Sequence, residues 1–178
     1  TTTHWTSKVT PVPTPCYLIN EAELTRNLEI LEKIKRQTNC TILVALKGFS
    51  TFSTFPNIRK FLDGVTASSI YEAKLGYEEF NKNIHGHAIA MEQNEAIELS
   101  KLCSTISVNS INQLHWFEQI ISHQQSLGIR INPQISTVKT AIYDPCAKYS
   151  RLGIPIDQVD TDLFNKIKNK IVYPIIED

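Results

Sequence analysis

The chain has 178 residues, and its 18 Lys and Arg against 18 Asp and Glu give a formal net charge of zero at pH 7. That balance excludes the basic footprint of a nucleic-acid-binding protein, and 42% hydrophobic with 20% charged residues is the composition of a globular domain burying roughly 70% of its extended surface. The apolar run Ile42 to Leu46 is far below the ~20 residues of a membrane helix, and the Thr-rich start lacks a signal peptide's charged and apolar regions, so a soluble cytoplasmic protein is expected.

Residues 1–15 read as a Thr/Pro-rich arm, in which Pro11, Pro13 and Pro15 favour an extended path into a short strand candidate, Cys16 to Ile19. Asn20 is placed as a helix N-cap with Glu23 completing a capping box, and Leu24, Leu28, Leu31 and Ile34 repeat at helical spacing through about Arg36. Thr41 to Leu46 is nearly all apolar and ends in Lys47, the pattern of a strand buried on both faces. A helical stretch around Phe55 to Leu62 leads to Gly64-Val-Thr-Ala-Ser-Ser69, and a helix from about Ile70 to Phe80 leads to a strand over Ile84 to Ala90. Helix Asn94 to Leu102, strand Thr105 to Val108, helix Asn112 to His123 and strand Leu127 to Ile131 follow. After a loop from Pro133 to Pro155, Asp157 to Lys170 reads as a helix and Ile171 to Ile176 as a last strand.

Strands and helices alternating at this spacing imply right-handed βαβ units and a parallel α/β architecture. A closed (β/α)8 barrel needs about 250 residues, so the five or six barrel strands here describe an incomplete barrel. Loops that follow strands lie on the functional face of such a barrel, which gives the long Pro133 to Pro155 segment a task there.

Cys16, Cys40, Cys103 and Cys146 are far apart and show no ligand spacing. His85 and His87 share a strand face but lack further ligands at a useful spacing, so no metal site is expected. No glycine-rich nucleotide loop occurs. Lys47 carries the sharpest signal, because an amine at the mouth of an apolar barrel strand, if partly desolvated, is a candidate Schiff-base nucleophile. By position alone a strand-end lysine with its head in water is the commoner case. Arg130, inside an apolar strand, either points inward and needs acceptors or reaches the surface. Arg151 alone reads as a solvated loop residue.

Several blocks occur in order between about residues 10 and 156. They are Pro13-Thr-Pro-Cys-Tyr-Leu-Ile19, Leu43-Val-Ala-Leu-Lys-Gly-Phe49, Leu62 through Gly76, Val108-Asn-Ser110, Arg130-Ile-Asn-Pro133, Tyr143-Asp-Pro-Cys146 and Ser150-Arg-Leu-Gly153. Together they closely resemble the carboxynorspermidine and carboxyspermidine decarboxylases. These enzymes are a branch of the pyridoxal-phosphate-dependent alanine racemase and ornithine decarboxylase superfamily (fold type III), built from a barrel and a C-terminal β domain.

The resemblance implies that Lys47 holds pyridoxal 5'-phosphate covalently, that Arg130 lies beside the cofactor ring, and that Arg151 lies near its phenolic oxygen. Ser69 and Glu72 match the Ser and Glu of the turn after the next strand and support the lysine's surroundings. The implied reaction is decarboxylation of carboxynorspermidine or carboxyspermidine to norspermidine or spermidine, a step of polyamine biosynthesis, by a homodimer in the full-length family. Residues 1–20 would be an arm and strand belonging with the absent β domain, and 21–178 a partial cofactor-binding barrel.

The sequence also departs from the family. Ile171 through Asp178 has no histidine where the family has a His-rich strand, and the wording of His85 to Met91 differs. The glycine-rich phosphate loop, the acid for the pyridine nitrogen and the β domain with its cysteine are missing. The chain is therefore expected to be an N-terminal fragment inactive by itself. The alternatives are a non-catalytic cofactor-binding remnant, or another decarboxylase or racemase of the superfamily.

Overall fold

The computed structural model describes residues 13–159 and, beyond them, 161, 162, 165, 174 and 175. Helix α1 (Glu21–Thr38) starts where expected, with the Asn20 side chain accepting hydrogen bonds from the amides of Ala22 and Glu23. Only this half of the expected capping box forms, because the Glu23 carboxylate pairs with Arg26 one turn on. The helix ends at Asn39, whose φ of 54° is a left-handed conformation that asparagine tolerates better than most residues. Leu28 is buried and Leu24 and Leu31 pack beside it, whereas Ile34 is exposed.

Five strands form one parallel sheet in chain order: β1 (Leu43–Ala45), β2 (Gly64–Ala67), β3 (Asn83–His87), β4 (Thr105–Val108) and β5 (Ser126–Asn132). Two further short strands, β6 (Ile154–Pro155) and β7 (Pro174–Ile175), both pair with β5 in parallel. The connecting helices are α2 (Phe55–Ile58), α3 (Ile70–Leu75, continued by a π-helical turn at Gly76–Phe80), α4 (Gln93–Leu102) and α5 (Ile111–Ile120). This is the parallel α/β alternation of an incomplete barrel.

The sheet has two chemically different faces. A Cβ on Gly76 would strike Val65, and one on Gly86 would strike Cys103 and Leu99 of the α4 region, so Val65 and Gly86 face the helices. Register carries that assignment to Ala67, Ile84, Ile106, Val108, Leu127 and Ile129, a set of small or aliphatic residues. Phe55 and Phe80 meet edge to face at 5.3 Å beneath them, both wholly buried, a pair whose truncation costs about 3–5 kcal/mol per ring. The opposite face, the side that becomes a lumen when such a sheet closes, carries Thr66, His85, His87, Thr105, Ser107, Arg130 and Asn132.

Several expectations are corrected. Cys16 to Ile19 is not a strand here: it has no ladder partner among the described residues, and Tyr17 and Leu18 lie open to solvent. β1 is not buried on both faces, since Leu43 and Val44 are half-buried and Ala45 is exposed. Among the described residues it pairs only with β2. The helix expected over Phe55 to Leu62 shrinks to one turn, preceded by a 3-10 turn at Phe52–Thr54. β3 stops at His87 because the carbonyls of Ala88 and Ile89 are taken by the Gln113 side-chain amide rather than by a neighbouring strand. A 3-10 turn, Ile156–Gln158, stands where the Asp157 to Lys170 helix was expected to begin. Most of that helix, the last strand apart from β7, and residues 1–12 of the arm lie outside the described residues. Among the described residues no helix is long and apolar enough to cross a membrane.

Candidate active site

The carboxyl ends of parallel strands are where a barrel collects its functional groups, and here β3, β4 and β5 bring a polar cluster to one spot. Pairing of His85 with Thr105 and of His87 with Ser107 puts two imidazoles beside the Ser107 hydroxyl on the lumen face. His85 Nε2 lies 2.7 Å from Ser107 Oγ, and His87 Nδ1 lies 3.2 Å from the Ser107 carbonyl oxygen. Ser107 is almost wholly buried. Burial, with a contribution from His87, holds the His85 imidazole below its ordinary value, which favours its neutral form.

Arg130 is the inward arginine of the two readings its strand left open. It is only 6% exposed, and its Nη1 lies 3.3 Å from His87 Nε2. A guanidinium cannot give up its proton, so burying it is costly unless acceptors surround it. Asn132, two residues on and on the same face, is equally buried. Its side-chain oxygen accepts the Gln134 amide, and its side-chain nitrogen reaches the Pro145 carbonyl at 3.5 Å, fastening the start and middle of the long loop over the strand ends.

Arg151 is held indirectly. Its carbonyl accepts a hydrogen bond from Asn109 Nδ2 at 2.8 Å, and Asn109 Oδ1 accepts the Gly153 amide at 2.8 Å. Asn109 is itself braced by Gln113, whose side-chain oxygen accepts the Asn109 amide at 2.7 Å. The Arg151 side chain is exposed above this brace.

Lys47 sits in the turn that ends β1, with the amides of Gly48 and Phe49 both bonded to the Ala45 carbonyl. It is exposed, and the partly desolvated amine suggested by the apolar run is not found. Ser69 and Glu72 lie on the neighbouring turn after β2 and bond to the start of α3: Ser69 Oγ accepts the Glu72 amide, and Glu72 Oε2 accepts the Ser68 amide at 2.7 Å. Ser69 and Glu72 thus bond to each other, while Lys47 lies in the turn after β1, Arg130 within β5 and Arg151 in the long loop before β6.

Sequence reasoning weighed His87 only as a metal ligand beside His85, carried Asn109 and Asn132 only inside matching blocks without a role, and missed Ser107 and Gln113. The available signal was polar residues at alternate positions of consecutive strands, His85/His87, Thr105/Ser107 and Arg130/Asn132, which one parallel register stacks side by side. No group of three or more metal-ligating side chains occurs among the described residues. Burial pushes the Cys103 thiol up to about 12, which removes it as a nucleophile. The arrangement does fit an anionic, hydrogen-bond-accepting ring compound bound covalently by an amine. A reachable lysine stands at one strand mouth, and a buried guanidinium and two imidazoles form a face at others. Pyridoxal phosphate is such a compound.

No family model matches the chain. It is 36% identical over 148 residues to a carboxyaminopropylagmatine decarboxylase of Synechocystis sp., covering 83% of this chain and 38% of that protein. It is 36% identical over 144 residues to a carboxynorspermidine/carboxyspermidine decarboxylase of Herminiimonas arsenicoxydans, covering 80% of this chain and 39% of that protein. The crystal structure of carboxynorspermidine decarboxylase from Campylobacter jejuni, complexed with norspermidine, superposes with a TM-score of 0.77 at 30% identity, covering 90% of this chain and 40% of that one. Diaminopimelate decarboxylase of Helicobacter pylori shares the fold, at TM-score 0.67 and 22% identity. The chain spans about two fifths of the length of the relatives it matches.

Proposed function

We propose that this chain, a relative of the carboxynorspermidine/carboxyspermidine decarboxylases, forms the lysine-bearing part of a pyridoxal-phosphate-dependent enzyme that decarboxylates carboxynorspermidine or carboxyspermidine. The observation that carries the reading is the coincidence of the sequence kinship with a buried arginine–histidine face at the strand ends, on the same barrel as the Lys47 turn.

Bound pyridoxal phosphate supplies an electron sink for the pair left on the substrate α-carbon when carbon dioxide departs. In this reading Lys47 would hold the cofactor through its side-chain amine and would hold the proton destined for that carbon. Arg130 contributes fixed positive charge on the lumen side of β5, where it favours an electron-rich ring. The Arg151 side chain, exposed on a loop braced by Asn109, would in this reading pair with an anionic oxygen of the cofactor. Ser69 and Glu72 set the turn beside Lys47. Exposed Tyr143, Ile142, Ile135 and Tyr149 on the long loop suit a surface covered in a homodimer, and the reaction is assigned to the cytoplasm.

The Synechocystis relative favours a second substrate, carboxyaminopropylagmatine, which bears a guanidinium where the polyamines bear an amine. Both questions are met by one experiment. The purified chain, alone and mixed with the separately expressed remainder of a full-length relative, is given cofactor and each of the three carboxylated amines. Turnover only after mixing, with one amine preferred by kcat/KM, is expected. Turnover of none in the mixture would reject the reading, and full turnover by the chain alone would reject the inactivity assigned to it. Borohydride reduction followed by peptide mass spectrometry should place the pyridoxyl group on Lys47.

A further inference from the structure

His87 stands between two groups that together dictate its chemistry. Its Nδ1 lies 3.2 Å from the Ser107 carbonyl oxygen, an atom that only accepts, so Nδ1 must carry the proton. Its Nε2 lies 3.3 Å from Arg130 Nη1, an atom that only donates, so Nε2 must present a lone pair. These two demands select one of the three forms of imidazole, the neutral ring protonated at Nδ1. Protonation of Nε2 would turn an N–H towards the guanidinium and set two cations together.

The backbone makes this arrangement rigid. His87 is paired with Ser107 by strand register, Ser107 is 1% exposed, and His85 Nε2 holds its hydroxyl at 2.7 Å. His87 therefore takes its orientation from two strands and passes it to an arginine on a third.

We propose that His87 is a positioning residue which, as the neutral Nδ1-protonated imidazole, accepts a hydrogen bond from Arg130 and fixes the guanidinium on the lumen face. The proposal rests on the cofactor reading above for its functional consequence, and on geometry alone for its tautomer. With His87 in place the Arg130 side chain enters binding already oriented, so less order is lost when an anionic ring compound arrives. An aromatic or aliphatic side chain at position 87 has no lone pair for Arg130, and this hydrogen bond is lost. A glutamine can supply a carbonyl oxygen in place of Nε2.

Two measurements test it on the 178-residue chain. Long-range nitrogen–proton correlation spectra of nitrogen-15 histidine-labelled protein at pH 7 should show the His87 ring protonated at Nδ1 only, with assignment by His87→Gln. A ring protonated at Nε2, or at both nitrogens, would overturn the proposal whatever the cofactor does. Titration with pyridoxal 5'-phosphate, followed by absorbance and borohydride trapping, should show affinity lowered about tenfold in His87→Phe and within about threefold of the parent in His87→Gln. Circular dichroism verifies that each variant is folded. Equal loss in both variants, or none in His87→Phe, would also overturn it. If the parent chain traps no cofactor on Lys47, the cofactor reading fails, and the tautomer alone then decides the role of His87.

Discussion

The Asn109 side-chain oxygen accepts the Gly153 amide at 2.8 Å, joining the end of β4 to a residue 44 positions later in the chain. The Asn109 side-chain nitrogen simultaneously bonds the Arg151 carbonyl, so one nearly buried amide fastens both sides of Leu152. Replacing it with alanine strands the Gly153 donor and the Arg151 acceptor, and Asn109→Ala is expected to cost about 2–3 kcal/mol in chemical unfolding. Limited proteolysis should show new cleavage between residues 133 and 153.

Gly153 has a φ of +82°, and a Cβ there would lie 2.9 Å from the Asn132 amide nitrogen. Both the conformation and the space require glycine. Gly153→Ala is expected to lower stability by about 1–3 kcal/mol. It should weaken cofactor binding with it, measured by absorbance titration, because the displaced backbone belongs to Asn132 and Arg130.

Lys47 is exposed and bonded to nothing among the described residues, so Lys47→Ala should change unfolding free energy by no more than about 0.5 kcal/mol. The same substitution should abolish borohydride-stable labelling. A large loss of stability instead would mean that Lys47 is a structural residue.

Burial alone would raise the Asp63 carboxyl, but the Ile42 amide and then Lys35 outweigh it and leave the group below its ordinary value. A carboxyl depressed in the folded state contributes stability that is present above its unfolded pKa of about 3.9 and is lost as pH falls through the lower folded value. Stability measured between pH 5 and pH 2 should therefore fall less steeply in Asp63→Asn than in the parent.

His85 acts in the same direction at higher pH. Burial, and after it the neighbouring His87, lowers its pKa, so its neutral form is favoured by folding. That contribution is present above the unfolded value near 6.5 and is lost as pH falls through the folded one. Melting temperature should drop on going from pH 7.5 to pH 5, and the drop should shrink in His85→Asn.

What the sequence disclosed follows the range of the forces involved. Strand Thr105 to Val108 lies where its alternation predicts it, and Asn20 caps α1, because alternation and capping are settled within a few residues. The reciprocal Glu23 bond failed against a rival no farther away than Arg26. The end of β3 depended on Gln113, 24 to 25 residues later, and nothing local to Ala88 and Ile89 signals that an amide will claim their carbonyls. The inward direction of Arg130 was undecidable from Leu127 to Ile131 alone. Only the neighbouring strands, with polar residues at His87 and Ser107 in register, make that face hospitable to a cation.

Lys47 closes the first strand and Arg130 belongs to the fifth, with three strands between them. Strand spacing of about 4.8 Å separates the two by roughly 19 Å if the sheet is followed along its surface. The straight-line separation shortens as the sheet curls. Sheet curvature is thus an adjustable dimension of the site. The small residues that let helices lie close on the outer face, Gly76 against Val65 and Gly86 against Cys103, act on it from a distance. Enlarging them would alter the gap between lysine and arginine without touching either residue.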